Sequence, residues 1–109
     1  MATSAPADLV IRPRDLSFRC DAASDRWWMG HDPVATAYYN IFSVSFPLAE
    51  RYFIDAVRHY RNRAGAELQQ QIAGFIAQES LHSREHVAFN RDAVCVGYDL
   101  TAIDALLKA

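Results

Sequence analysis

Residues 68–96 read LQQQIAGFIAQESLHSREHVAFNRDAVCV. Taken at alternating steps of four and three, they give Leu68, Ile72, Phe75, Glu79, His82, His86, Phe89, Ala93 and Val96. This is a 3.5-residue stripe, the seam a helix turns toward its partners. Its ends are apolar, and its middle is one carboxylate and two imidazoles. Phe89 and Ala93 carry the phase on past His86, which argues that the face does not turn to water after Phe75. A charge in a core is costly unless it is paired or bound to a metal. The stripe therefore points to a metal site between helices.

Working outward, the stripe predicts a helix from about Ala66 to Val96, on the order of 45 Å long at about 1.5 Å per residue. Gly74 inside it costs about 1 kcal/mol against alanine, which a close approach by another helix would offset. Gly97 ends it. Upstream, Asp32 followed by Pro33 reads as an N-cap with proline at the first helical position. The apolar pattern then runs through Ala37, Tyr38, Ile41, Phe42, Val44 and Leu48 to Val57 and Tyr60. Pro47 removes the hydrogen bond to residue 43, so a kink or a split is expected there. Glu50 lies within one turn of that proline, amid Phe46, Phe53, Ile54 and Val57. It is a second carboxylate in apolar company. Arg58, Arg61 and Arg63 gather where positive charge suits a helix C-terminus, and Gly65 reads as a stop.

Downstream, Thr101 reads as the cap of a short third helix, Ala102 to Leu107. Residues 1–32 read as an irregular arm. Leu9-Val10-Ile11 and Leu16-Ser17-Phe18 are short extended pieces around Pro13, and Trp27 and Trp28 are large enough to require packing across the helices. The expectation is one all-α domain over residues 1–109, a half-bundle of two long antiparallel helices with the arm and the short third helix. Two long helices with open inner faces need more protein. A second copy, forming a homodimer, or a missing C-terminal half would supply it.

The composition removes several classes. The chain has 109 residues, a formal net charge of -2 and 51% hydrophobic residues. No basic stripe marks a nucleic-acid surface. No apolar run approaches the roughly 20 residues a membrane span needs, and the N-terminus lacks the pattern of a signal peptide. Cys20 and Cys95 are isolated and read as reduced thiols, which favours the cytoplasm.

The chemistry concentrates at four residues. Glu79 and His82 are three apart, and His82 and His86 four apart, so on a helix they are neighbours with Cβ atoms about 5–6 Å apart. Glu-x-x-His on an inward face is the ligand unit of carboxylate-bridged di-metal bundles, where it is joined by lone glutamates from other helices. The chain holds half of such a set: Glu50 as the lone glutamate and Glu79 with His82 as the pair. His86 is a third ligand or a group that orients one or faces a substrate. Glu50 has two other readings, an ordinary partner of Arg51 or a buried acid bonded to His82. His31, His59, Arg84 and Glu85 read as solvated. Ser80 and Ser83 flank the histidines without the geometry of a hydrolytic triad. Asn90, one turn beyond His86, is in position to orient it.

Two segments carry a family resemblance. Residues 43–54 read SVSFPLAERYFI, followed by Val57-Arg58. Residues 75–86 read FIAQESLHSREH, followed by Asn90 and Gly97-Tyr98-Asp99. Together they resemble a family described as predicted metal-dependent hydrolases, with Phe-Pro before a glutamate and an aromatic pair, then Gln-Glu-x-x-His-x-x-x-His. The likeness covers most of residues 27–100, with Ala49 where the family usually has glycine. It implies a ferritin-like helical fold and a divalent metal held by Glu50, Glu79, His82 and His86. Family members are considerably longer, and their later helices are expected to supply further ligands. Iron or manganese suits the glutamate-rich set, with zinc as the other candidate. The implied chemistry is hydrolysis by a metal-activated water, with Glu79 and His86 as the groups that move its proton. The same ligands would also fit a di-iron oxidase or oxygenase. A third reading is a truncated, non-catalytic fragment or a dimerising helical module. The residues name no small-molecule substrate.

Overall fold

The computed structural model describes residues 12–18 and 25–109. Its elements are α1 (Pro33–Tyr60), a 3-10 turn (Arg61–Arg63), α2 (Ala66–Cys95) and α3 (Thr101–Leu107), with no strand among the described residues. The expected all-helical class and the two long packed helices are therefore present. No helix is long and apolar enough to cross a membrane. Leu9-Val10-Ile11 and Cys20 lie outside the described residues, and Cys95 is a free, exposed thiol.

α1 begins where Asp32 predicts. Its carboxylate accepts the backbone N–H groups of Val34 at 2.8 Å and Ala35 at 3.1 Å, two donors that a helix start otherwise leaves unpaired. The helix then runs through Pro47 without splitting. It ends at Tyr60, tightens into the 3-10 turn, and Gly65 serves as the cap position of α2 rather than as the stop of α1. α2 ends at Cys95, and Gly97 follows with φ at +93°. That left-handed backbone is open to glycine and strained for other residues. Thr101 is the first residue of α3 rather than its cap. Asp99 captures both its backbone N–H and its hydroxyl, because an aspartate two residues back reaches that N–H more directly than a side chain inside the helix.

The two long helices are antiparallel, as their cross-contacts show. Asn40 and Ser43, early in α1, lie beside residues late in α2 through Trp28–Phe89 and Asn90. Glu50, further along, meets His82, earlier in α2. α3 packs on α1. The arm lies across the helices as the tryptophans require. The Trp28 indole stands edge-on to Phe89 at 5.0 Å, and its Nε1–H donates to Asn40 Oδ1 at 3.0 Å. Trp27 packs edge-on to Tyr98.

Arg84 and Glu85 are not simply solvated. Arg84 bonds the Asp15 carboxylate at 2.7 Å and the Leu16 carbonyl at 3.2 Å, while Glu85 accepts the Phe18 backbone N–H at 3.0 Å. They fall off the apolar stripe because their side of α2 faces the arm. His31 is exposed as expected and is paired with Asp25 at 2.5 Å.

The interior is unusual. Among the described residues Ala93 is the one buried hydrophobic side chain, whereas Thr36, Asn40, Ser43 and Glu50 are buried. Those four lie on one face of α1, turned toward α2. The seam between the long helices is built from polar groups.

Candidate metal centre

Glu50 is 2% exposed, and neither carboxylate oxygen has a well-formed hydrogen bond. Its Oε1 lies 2.7 Å from His82 Nδ1. Burial pushes its pKa up, the largest effect, while His82 and the Ser83 hydroxyl pull it down. A buried carboxylate whose contacts to His82 and Ser83 fall short of well-formed hydrogen bonds is costly. A cation beside it would remove that cost, so the residue fits a metal ligand.

α2 supplies the nitrogen atoms. Because His82 and His86 are one turn apart, their rings stand side by side, with the two Nε2 atoms 3.0 Å from each other. A neutral imidazole offers one N–H and one lone pair. Two facing nitrogens therefore either share a proton or turn their lone pairs to a common cation. Glu50, His82 and His86 each present a ligand atom, all within 4.8 Å of one another. The donor set, one carboxylate and two imidazoles, suits a divalent transition metal.

Each member is held differently. His82 is half exposed, with 49% of its side chain open, so the centre faces solvent on that side. His86 is more enclosed. Phe46 stacks on its ring at 4.6 Å and 23°, and Ser43 Oγ lies 2.9 Å from its Nδ1. Burial lowers the His86 pKa, with the His82 charge adding to the effect, which favours the neutral ring that can ligate. Glu79 stands beside the trio, with Oε2 4.0 Å from His82 Nδ1. Arg51 is not the partner of Glu50.

The sequence reading did not single out Ser43. The signal was present in its position four residues before Pro47 and in the polar buried face it shares with Glu50. Asn90 does not touch His86; it donates to the Ser43 carbonyl at 3.0 Å.

A cleft of about 670 Å³ opens beside His82 and His86. Phe42, Phe46, Phe89, Trp28 and Leu81 line it, with Phe18 of the arm at its edge. Its size is that of a small-molecule site.

No curated protein matches the chain, and no solved structure does. A family described as "predicted metal-dependent hydrolase" matches residues 12–109, which include every residue of the centre and both segments that carry the resemblance. With residues 12–109 matched, the chain belongs to the predicted metal-dependent hydrolase family.

Proposed function

We propose that the chain is a metal-dependent hydrolase whose divalent ion is held by Glu50, His82 and His86, with Glu79 as a further ligand or proton carrier. The carrying observation is the buried Glu50 carboxylate, without a good hydrogen bond, beside two facing imidazole nitrogens. When bound, the metal lowers the pKa of a coordinated water and supplies a nucleophile near neutral pH. Glu50 brings the negative charge that binds the cation. His86 and His82 bring neutral nitrogens, and Phe46 keeps the His86 ring in plane. Glu79, partly exposed beside His82, is placed to accept a proton at its carboxylate and pass it to solvent. The cleft next to the histidines combines aromatic walls with Arg14, Arg91 and Asp92, which suits a small substrate that carries both an apolar and a polar group. A ferritin-like helix arrangement accords with these ligands. Iron or manganese is favoured by the carboxylates, with zinc as the other candidate.

Elemental mass spectrometry on protein purified without chelator tests the reading. About one metal per chain is expected, lost in Glu50→Ala and in His82→Ala, together with metal-dependent cleavage of simple ester or phosphoester reporters. Unchanged metal content in both variants would overturn it. Oxygen consumption by the iron-loaded protein, without hydrolysis, would replace it with the oxidase reading.

A further inference from the structure

Ser43 stands four residues before Pro47. In an unbroken helix its carbonyl would accept the N–H of residue 47, but proline has no N–H, and its ring crowds that carbonyl. Ser43 is almost fully buried, so the freed oxygen cannot turn to water. Asn90 of α2 fills the gap, with Nδ2 donating to the Ser43 carbonyl at 3.0 Å. Only the amide nitrogen can face a carbonyl, which fixes how the Asn90 side chain is turned. Its Oδ1 is left buried and unpartnered, a cost that marks the residue as kept for its donor. The hydroxyl of the same serine reaches His86 Nδ1 at 2.9 Å. Asn90 and His86 are one turn apart on α2, so one serine engages both. Phe46, the residue before the proline, stacks on the His86 ring.

We propose that Pro47, Ser43 and Asn90 form a positioning unit for His86. The proline exposes a carbonyl, Asn90 docks on it and pins α2 to α1 at this level, and the Ser43 hydroxyl holds the ring through Nδ1 with Nε2 turned to His82. None of the three touches the reacting atoms. The geometry stands without a metal, while the effect on metal affinity rests on the function proposed above. A partner on the far nitrogen of a ligating histidine fixes its orientation, and loss of such partners typically weakens metal binding about 10–100-fold.

The unit makes a prediction of opposite signs. Pro47→Ala restores a backbone N–H to the Ser43 carbonyl and displaces Asn90. The melting temperature of the metal-free protein should rise, while affinity for Mn²⁺ or Zn²⁺, measured against a chelating dye, should fall roughly 10-fold or more. Asn90→Ala alone should lower the melting temperature, because the carbonyl is left unpaired. Adding Pro47→Ala to it should recover that loss, since the backbone then fills the gap, yet should not recover affinity. Ser43→Ala should change the ¹⁵N ring resonances of His86 in metal-free protein, where wild type is expected to show one ordered ring.

Additive effects of Asn90→Ala and Pro47→Ala on melting would overturn the unit. So would a His86 spectrum unmoved by Ser43→Ala. If wild type binds none of Mn²⁺, Zn²⁺ and Fe²⁺, the proposed function fails, while the melting cycle and the metal-free spectrum still decide the unit.

Discussion

Glu50 shows how one residue can be costly to the fold and valuable to the site. Its carboxylate is buried, its oxygens lack good hydrogen bonds, and burial raises its pKa. Leaving a buried polar group unsatisfied costs about 1–3 kcal/mol, more when it is charged. Glu50→Gln removes the charge at nearly constant volume. The metal-free variant should therefore melt several degrees higher than wild type, since about 1 kcal/mol moves a domain of this size by roughly 4–8 °C. It should also lose its metal. Calorimetry with and without Mn²⁺ checks both signs, and a variant that melts lower than wild type without metal would show that Glu50 is satisfied in the apo protein. His82 and His86 were legible because the heptad phase of α2 places them on the seam, and Glu50 because a charge amid Phe46, Phe53, Ile54 and Val57 demands a partner. Ser43 shares the helical spacing of Thr36, Asn40 and Glu50, but a serine on that face does not by itself announce that it is buried. Pro47 announced that the carbonyl of residue 43 was free, but which side chain would take it depended on how α1 and α2 are set against each other.

At the scale of the elements, ends and attachments differ in strength. The caps were readable where chemistry is local, as at Asp32, and misplaced where two candidates compete, as at Asp99 and Thr101. Gly97 links α2 to α3 with φ at +93°, and a Cβ there would meet only an Arg26 side-chain nitrogen at 3.7 Å, an ordinary contact. The cost of Gly97→Ala is thus one of backbone strain, about 1–2 kcal/mol, readable as a melting shift of a few degrees with the metal centre intact. Loss of metal in this variant would show that the turn positions the site. The arm behaves otherwise. Arg84 ties it down through Asp15 and the Leu16 carbonyl, but both partners are exposed, and exposed ion pairs contribute little to stability. Arg84→Ala should hardly alter melting, yet speed proteolytic cleavage within residues 12–18 several-fold. Unchanged cleavage would mean that the Arg14–Gln78 and Phe18–Glu85 backbone bonds hold the arm alone. Arg84 is exposed as the sequence implies, but no helical period encodes the path of an extended arm, which is why the contacts of Arg84 and the partial burial of Glu85 were not legible.

For the whole molecule, α1 is inverted with respect to an ordinary amphipathic helix. Thr36, Asn40, Ser43 and Glu50 are its buried residues, and Val34, Tyr38, Ile41, Leu48 and Tyr52 are exposed. The second set is displaced two positions from the first, about 200° around a helix of 3.6 residues per turn, so most of it faces away from α2, while Leu48 lines a cleft shared with α2 and α3. With Ala93 as the one buried hydrophobic side chain among the described residues, the seam between the long helices cannot supply much of the burial that stabilises a domain. Beyond the half-buried side chains of this seam, the arm and α3, further burial is expected to come from a partner on the outer stripe of α1. Association of the chain with itself is the simplest source, and it would also double a ligand set that amounts to half of a carboxylate-bridged di-metal centre. Sedimentation equilibrium at micromolar concentration should then show a dimer. The double variant Ile41→Asp with Tyr52→Asp should shift it to monomer while circular dichroism keeps its helical signal, since neither side chain lies in the α1–α2 seam. A wild-type chain that stays monomeric, helical and cooperative in melting across that concentration range would reject self-association and show that the polar seam suffices to hold the two helices together.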